Sequence, residues 1–146
     1  MPKWAILATV GAALVLAAVA LLKTWPVINV VETGRTPEYP DLQPRQYHAR
    51  KDRVFDAAVR ALNAMPRWTV VSSRLEQGDI RAEARTRLLR FVDDVVVRVT
   101  EQGGGTSVHV RSASRLGRGD FGQNARNVRA FLDELERQLE GAADHR

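Results

Sequence analysis

The longest apolar run of the chain lies near its start and carries no charged residue. It extends over 19 residues from Trp4 to Leu22, with Lys3 before it and Lys23 after it. At about 1.5 Å per residue, such a helix is roughly 28 Å long, which is close to the hydrocarbon thickness of a bilayer. Trp4 and Trp25 fall near the two ends, where aromatic rings favour the membrane interface. The pattern predicts a membrane-spanning helix.

A cleaved signal peptide is the alternative interpretation of this run. Ala18, Val19 and Ala20 have the small-x-small form of a processing site, although the run is longer than the usual apolar core of a signal peptide. A buried helix of a soluble domain is disfavoured, because no polar stripe interrupts the apolar residues. We therefore predict an uncleaved anchor at residues 1–25.

The next segment, residues 26–50, is predicted to be an extended tether. It has little hydrophobic periodicity and contains four prolines, Pro26, Pro37, Pro40 and Pro44. Residues 51–146 follow it and carry the periodic patterns of a folded domain.

Two amphipathic helices are predicted in residues 51–146. The first has Asp52 as its N-cap and ends near Met65, where Pro66 stops it. The second extends from about Gly122 to Leu139. Both have an apolar stripe at helical spacing. The stripes consist of Val54, Phe55, Ala58, Val59 and Leu62, and of Val128, Phe131, Leu132, Leu135 and Leu139.

Four strands are predicted between these helices, because apolar and polar residues alternate there. They are Trp68 to Ser73, Ile80 to Leu88, Phe91 to Thr100 and Thr106 to Arg115. Glycine-containing turns at residues 78–79 and 102–105 separate them. The order α-β-β-β-β-α after the transmembrane helix predicts an α+β fold, in which a small antiparallel sheet carries its helices on one face.

The alternation also predicts how the third and fourth strands pair. Their valine-bearing faces must lie together, since a shift by one residue would expose the valines. The resulting pairs are Val97 with Val110 and Asp93 with Ser114. Phe91 is assigned to the same face. Asp94 then falls on the opposite face, within reach of Arg111 and Arg115.

Charge and cysteine content narrow the function classes. The 146 residues include 19 arginines and 3 lysines against 17 acidic residues, which gives a net charge of +5. The absence of cysteine excludes disulfides and thiolate chemistry. A genome rich in G and C would produce the arginine bias without function. The alternative is that arginine is used for forked contacts to carboxylate or phosphate.

Catalytic and metal-binding patterns are absent from the sequence. His48, His109 and His145 are far apart and have no carboxylate or second histidine at metal-ligand spacing. Asp93 and Asp94 are neighbours in a predicted strand, so they point to opposite faces and do not flank one substrate. We therefore expect no enzyme activity, no metal and no cofactor.

Two dense polar motifs give the chain a family resemblance. One is the run Arg111-Ser112-Ala113-Ser114-Arg115-Leu116-Gly117, followed by Asp120-Phe121-Gly122 and Asn124, and the other is Phe91-Val92-Asp93-Asp94. From about Asn29 to Leu139 the chain resembles an uncharacterised bacterial family, domain-of-unknown-function family 1499. Ala125 and Asn127 stand where that family carries basic residues. The resemblance implies no activity, because the family has none assigned.

The motif supports two interpretations. In the first, its carboxylates, serines and arginines satisfy one another, and Asp120 or Asn124 caps the last helix. In the second, Arg111, Arg115 and Arg118 bind an anion beside the glycine-rich helix start, although Asp120 would repel it. The motif set comprises Asp93, Asp94, Arg111, Ser112, Ser114, Arg115, Asp120 and Asn124.

Basic residues also gather on the outer face of the predicted sheet. The candidate docking set comprises Arg81, Arg85, Arg87, Arg98 and His109, beside Arg111. Glu83 and Asp94 are the only acids expected among them. One interpretation is a solvated face with cross-strand pairs, and the other is a docking surface for an acidic protein or for anionic lipid headgroups. Nucleic acid also suits such a face, but an extracytoplasmic location argues against it.

These observations lead to an expected location and function. Lys3 opposes Lys23 and Arg35, so the positive-inside signal is nearly balanced, and a single N-terminal anchor most often leaves its short tail in the cytoplasm. We expect a single-pass protein of the inner (cytoplasmic) membrane with a periplasmic domain. Its expected function is non-catalytic binding or scaffolding, most concretely as an accessory subunit or assembly factor with protein partners in the same membrane. The alternatives are a stand-alone binder of a small anion or anionic lipid and, third, an enzyme of unknown chemistry.

Overall fold

The computed structural model describes residues 3–23 and 25–142, which form an N-terminal apolar helix and an α+β domain. The helices are α1 (Lys3–Leu22), α2 (Lys51–Ala64) and α3 (Gln123–Gly141). The strands are β1 (Val30–Glu32), β2 (Arg45–Tyr47), β3 (Trp68–Arg74), β4 (Asp79–Arg85), β5 (Val92–Gln102) and β6 (Gly105–Ser114). The α+β class and the antiparallel sheet are confirmed.

α1 is apolar on every side. Its segment Trp4–Leu21 is long and apolar enough to cross a membrane, and none of that segment is buried within the protein. Packing in the domain therefore does not account for its apolar surface. A signal sequence near the N-terminus has the same length and composition. α1 could thus be a membrane anchor or a signal sequence.

The sheet is built around the β5–β6 hairpin. Its strand order is β1-β6-β5-β4-β3, and β2 also pairs with β6. Residues 103–104, both glycine, close the hairpin with φ values of 59° and 78°. A two-residue turn of this kind matches the twist of the flanking strands. The predicted register is confirmed, because Val97 pairs with Val110 and Asp93 with Ser114.

The segment expected to be a tether differs from that expectation, because it contributes two short strands. β1 pairs with residues 111–113 and β2 with residues 106–108, both along the edge of β6 that faces away from β5. Between them, the Thr33 N–H donates to the Val110 carbonyl at 3.0 Å, and the Thr33 Oγ1 accepts from the Val110 N–H at 3.1 Å. These contacts satisfy backbone groups that the edge of β6 would otherwise leave unpaired.

β4 ends at Arg85, three residues before the predicted end. The Thr86 N–H donates to the Phe91 carbonyl at 2.9 Å, and the Thr86 Oγ1 accepts from the Phe91 N–H at 2.9 Å. These two bonds close a loop, so Arg87 and Leu88 lie outside the sheet and are exposed. Phe91 precedes β5 and is exposed as well. The placement of Arg87 on a strand and of Phe91 on the inner face is therefore wrong.

α2 and α3 pack together on one face of the sheet and cover its alternate, valine-bearing positions. The largest fully buried side chains are Phe131, Leu62, Ile80, Leu132, Leu135, Val31, Val54, Val95, Val97, Val99, Val108 and Val110. Asp52 is not the N-cap that was predicted, because α2 begins at Lys51 after Arg50. The Asp52 carboxylate instead accepts from the Arg50 guanidinium and from the Arg53 N–H, both at 2.7 Å.

Candidate functional site

The two polar motifs meet inside the domain, where the start of β5 and the end of β6 approach the start of α3. Asp93, Ser112, Asn124 and Asn127 are all buried there. Strand parity places Asp93 on the inner face with Val95, two residues further along β5, because side chains alternate along a strand. We call these four residues, with Ser114, the inner network.

Asn124 is the centre of the inner network. Its Oδ1 accepts a hydrogen bond from the Ser112 Oγ at 2.6 Å. Its Nδ2 donates to the Ser114 Oγ at 2.8 Å and to the Asn29 carbonyl at 3.0 Å. The Asn29 Nδ2 donates in turn to the Gly117 carbonyl at 2.8 Å. These bonds join α3, β6 and the chain that enters β1, and they offset the cost of burying the polar groups.

Asp93 occupies the other half of the inner network. The Asn127 Nδ2 donates to the Asp93 Oδ2 at 2.8 Å and to the Ser112 Oγ at 3.1 Å. Burial raises the pKa of Asp93, while hydrogen bonds from Ser114 and Asn127 oppose the rise. No arginine, lysine or histidine in the described part of the chain forms an ion pair with Asp93. The site therefore favours the protonated carboxyl more than water does.

Asp120 takes up free N–H groups at the start of α3. Its Oδ1 accepts from the Gly122 N–H at 2.9 Å, and its Oδ2 accepts from the Asn124 N–H at 2.7 Å. An anion at this helix start would need the same donors. Of the two predicted capping residues, Asp120 has this role and Asn124 does not. The helix start is therefore already occupied by a carboxylate of the chain itself.

The outer face carries the rest of the motif. The Arg115 Nε donates to the Asp94 Oδ2 at 3.0 Å, and the Arg115 Nη2 donates to the Asp94 Oδ1 and the Glu83 Oε1, both at 2.6 Å. The hydrogen bond from Arg115 holds the pKa of Asp94 below its usual value. Arg115 thus links the end of β6 to β5 and β4. Arg118 is exposed in the loop that follows.

The residues of the two motifs therefore form connected contacts on both sides of one hairpin. A family profile described as "Protein of unknown function (DUF1499)" matches residues 19–135. The chain belongs to this family. At position 127 the resemblance to this family implies a basic residue, but this DUF1499 protein has Asn127. The Asn127 side-chain amide donates a hydrogen bond to the buried Asp93.

Comparisons of this DUF1499 protein with solved structures give low similarities. TTHA0849 from Thermus thermophilus has a TM-score of 0.42 and 15% identity, covering 77% of this chain and 98% of that one. CalU16 from Micromonospora echinospora has a TM-score of 0.38 and 18% identity, covering 70% and 76%. Ara h 8.0201 has a TM-score of 0.38 and 9% identity, covering 80% and 98%. No curated protein matches the chain. At these TM-scores, the similarity carries no information on function.

The predicted docking set is divided by the structure. Arg81 forms an ion pair with Asp79, and Arg85 forms one with Glu83, each at 3.4 Å. Arg87 lies in the loop after β4 and so leaves the set. The two paired arginines remain on the outer face, and each shares its carboxylate with a second arginine, Arg74 at Asp79 and Arg115 at Glu83.

Two arginines of the outer face form no ion pair with any described residue, although Asp79 lies opposite Arg98 and Glu32 lies opposite Arg111 in the sheet. Arg98 of β5 and Arg111 of β6 line a shallow depression of about 240 Å³, together with His109 and the ion pair of Glu32 with Arg35. Within residues 3–23 and 25–142, neither Arg98 nor Arg111 forms an ion pair. Both side chains are exposed. Arg98, His109 and Arg111 are called the basic surface below.

The outer face is also more acidic than the sequence indicated. Asp79 faces outward at the start of β4, where it pairs with Arg74 at 3.0 Å and with Arg81. Glu32 of β1 lies opposite Arg111 in the sheet. The expectation that Glu83 and Asp94 are the only acids of this face is therefore wrong. The sequence does not predict β1, which contains Glu32, and it predicts that β4 begins at Ile80, one residue after Asp79.

Histidines and carboxylates do not form a metal cluster in the described parts of the chain. No group of three or more His, Cys, Asp or Glu side chains is placed there to hold an ion. His48 follows β2 and His109 lies on β6, so the two are on separate elements. His145 is outside the described residues.

An apolar cavity beside the inner network was missed by the sequence analysis. It has a volume of about 540 Å³ and opens between residues 86–91 and residues 115–122. Asp93 and Ser114 lie in its wall, beside Leu88, Phe91 and Phe121. The sequence signal for this cavity is the adjacent pair of leucines at 88–89, of which Leu88 ends the predicted strand and Leu89 follows it.

Proposed function

We propose that this protein is a membrane-anchored, non-catalytic binding domain that acts as an accessory subunit or assembly factor of a membrane protein complex. The observation that carries the proposal is the basic surface, where Arg98 and Arg111 lie without an ion pair on the outer face. The partner is an acidic part of another protein in the same membrane.

The surrounding carboxylates explain why the basic surface has surplus charge. Each of Asp79, Glu83, Asp94 and Glu32 already pairs with an arginine other than Arg98 and Arg111. Among the described residues, none of these four carboxylates forms an ion pair with Arg98 or Arg111. A partner that supplies carboxylates would complete the pairing.

The sheet also holds the two arginines close together. Arg98 pairs with His109 and Val96 pairs with Arg111, so the arginines are diagonal neighbours on adjacent strands. Diagonal neighbours have Cα atoms about 7–8 Å apart, and like charges at short range are unfavourable. Two guanidinium groups at this separation suit a surface with several carboxylates, because each fork binds a carboxylate through two parallel hydrogen bonds.

The anchor supplies the second part of the proposal. None of the apolar segment Trp4–Leu21 of α1 is buried within the protein, and the first strand of the domain begins at Val30. A tethered domain meets partners in the same bilayer at a high effective concentration, so a modest docking surface suffices. We place the protein in the inner membrane with its domain on the periplasmic side, since single N-terminal anchors most often have this orientation.

The proposal of a non-catalytic domain rests on how the motif residues are used. Asp93 and Asn124 are buried and hydrogen-bonded to other side chains of the network. Asp94 lies on the opposite face and pairs with Arg115. Groups that satisfy one another in this way stabilise the fold, and they are not arranged around one reacting atom.

Co-purification of the full-length protein in mild detergent tests the proposal. Wild type is compared with Arg98→Gln/Arg111→Gln and with the control Arg81→Gln/Arg85→Gln, which removes equal charge from the same face. In the control, Asp79 and Glu83 keep Arg74 and Arg115 as partners. We expect a stoichiometric partner with wild type and with the control, its loss with the first variant, and weaker binding in added salt.

Two results would contradict the proposal. One is a folded Arg98→Gln/Arg111→Gln variant that retains every partner of the wild type. The other is a wild-type protein that leaves the membrane as a monomer without any stoichiometric protein partner.

A further inference from the structure

One end of the domain exposes large apolar side chains on two neighbouring loops. Leu88, Leu89 and Phe91 belong to the loop after β4, and Leu116 and Phe121 belong to the loop after β6. Leu88 is 89% exposed and Leu116 is 63% exposed. Apolar side chains grouped in this way on a domain surface mark a contact site for protein, membrane or ligand. These five residues are called the apolar rim.

The apolar rim surrounds the cavity of about 540 Å³ that lies against the inner network. This volume falls in the range of about 300–1,000 Å³ that is usual for small-molecule sites. All five rim residues line the cavity. Apolar atoms make up most of its exposed wall, and among its polar residues Asp93, Ser114 and Asp120 are already hydrogen-bonded within the protein. The cavity is therefore suited to an apolar chain.

The rim lies close to the end of α1. Trp25 contacts Gly122, so closely that a Cβ at position 122 would be 2.5 Å from the Trp25 Nε1. Val27 lies beside Gly119 in the same loop, 3.7 Å from where a Cβ would be. Trp25 follows Leu22 by only three positions in the sequence, which is at most about 11 Å of extended chain. The loop after β6 is thus held near the point where α1 would leave a bilayer.

Four arginines lie in or next to the loops that carry the apolar rim. Arg87 and Arg126 line the cavity, and Arg90 and Arg118 are exposed in the two loops. The Arg126 guanidinium donates to the Phe121 carbonyl at 2.9 Å, which fixes it beside the rim. Arginine forks match the geometry of phosphate oxygens. An apolar cavity edged by arginines has the two features that a phospholipid requires.

The loops also hold unusual backbone conformations at their tips. Arg90 has a φ of 54° and Phe121 has a φ of 50°. Both values lie in the left-handed region, which residues other than glycine rarely adopt. Conformations of this kind cluster at binding sites, where the surrounding structure maintains them. In both loops, the residue with positive φ stands next to or within the rim.

We infer that the cavity binds an acyl chain of a phospholipid from the membrane that α1 spans, with the arginines of the loops at the phosphate group. The inference rests on the anchor of the proposed function, and it adds a lipid site distinct from the basic surface. A lipid is favoured over a protein partner because the cavity is apolar, is edged by arginines and is held at the end of the anchor, and a phospholipid fits all three features.

Photo-crosslinking of the full-length protein in lipid nanodiscs tests this site. The probe is an anionic phospholipid with a diazirine near the end of one acyl chain. In an undisturbed bilayer this position lies deep in the hydrocarbon and reaches α1, whereas a chain drawn into the cavity brings the diazirine to residues 86–91 and 115–122. We expect crosslinks in α1 and in both loops of the wild type.

A rim variant and a control variant test whether the crosslinks depend on the apolar rim. Leu88→Ser/Phe121→Ser removes apolar surface from the rim, and Val71→Ser/Leu75→Ser removes exposed apolar surface on and after β3. We expect crosslinking of the loops to fall about tenfold in the first variant, the change that about 1.4 kcal/mol of binding free energy produces. The control should match wild type, and crosslinks in α1 should stay unchanged in all three proteins. A thermal melt establishes that each variant is folded.

The outcomes separate the lipid site from the anchor. Crosslinks in α1 without crosslinks in the loops would overturn the lipid site and leave the anchor in place. Loop crosslinks that persist in Leu88→Ser/Phe121→Ser would overturn it as well, because the chain would then not occupy the cavity. A protein that fails to enter nanodiscs and carries no crosslinks would overturn both the anchor and the site.

Discussion

The side-chain amide of Asn127 donates a hydrogen bond of 2.8 Å to the carboxylate of Asp93, and this contact joins α3 to β5 inside the core. The neighbouring residue Asp94 faces the other way and pairs with Arg115. Their pKa values shift in opposite directions, since burial raises that of Asp93 and the hydrogen bond from Arg115 lowers that of Asp94. Adjacent carboxyls in one strand therefore have opposite effects on stability as pH changes.

Asp93 should make the protein less stable as pH rises. Its folded pKa is above its usual value of 3.8, so in the pH range between the two the folded state binds more protons than the unfolded state. Its contribution to the free energy of unfolding therefore decreases as pH rises through that range. We expect Asp93→Asn to gain stability relative to wild type as pH rises from 3.8, the usual pKa, through the higher folded pKa of Asp93. Urea unfolding of the full-length protein in detergent measures the difference.

Asp94→Asn is the matched control, with the opposite sign. The folded pKa of Asp94 is below its usual value of 3.8, so its stabilising contribution is present above that value and is lost as pH falls through the folded pKa. Asp94→Asn should have a lower free energy of unfolding than wild type at neutral pH. In acid, the free energies of unfolding of the two proteins should become equal. If the free energy of unfolding depends on pH in the same way in wild type and in Asp93→Asn, burial does not shift the pKa of the Asp93 carboxyl.

Replacement of Asn124 by alanine should destabilise the domain. The change leaves Ser112, Ser114 and the Asn29 carbonyl each without a hydrogen bond that Asn124 now makes. An unsatisfied buried polar group costs about 1–3 kcal/mol, so we expect a loss of at least this size in the free energy of unfolding. Asn63→Ala, at an exposed position of α2, is the control and should stay within about 0.5 kcal/mol of wild type. Equal stability of the two variants would contradict the central role of Asn124.

The hairpin and the helices could be predicted because periodicity determines them. Valines at alternate positions require one face to be buried, and a one-residue shift would expose all of them, so the parity of Val97 and Val110 was settled by the sequence alone. The two glycines at residues 103–104 add the turn that this pairing needs. The pairing of Asp93 with Ser114 then followed, and with it the position of Asp94 near Arg115.

Other elements depend on contacts that periodicity does not encode. β1 and β2 have three residues each, too few for a pattern, and they form because the edge of β6 offers backbone partners. Arg87 continues the alternation of β4 in the sequence, yet the hydrogen bonds of Thr86 with Phe91 turn the chain out of the sheet. Asn127 is polar and precedes the predicted apolar stripe of α3, which begins at Val128, so its burial against Asp93 could be found only in three dimensions.

The inner network also positions the chain that leads to α1. Asn29 is held by Asn124 on one side and by the Gly117 carbonyl on the other. The Ile28 carbonyl accepts a hydrogen bond from the Asp120 N–H at 3.1 Å. These bonds fix the residues just before β1 against the loop after β6, so that the apolar rim and the end of α1 stay at the same end of the domain. The family motif thus has a consequence beyond the stability of the core.

The membrane anchor leads to the last prediction, which bears on both proposals. We expect the full-length protein to remain in the membrane fraction after washes with high salt and with carbonate, because an apolar helix of this length is held by the hydrocarbon and not by charge. Mass spectrometry of the purified protein should give an N-terminus before α1. A mature chain that begins at or near Leu21 would show that the segment is a signal sequence. In that case the carbonate wash would release the domain, and the partner of the basic surface would have to be sought among soluble proteins.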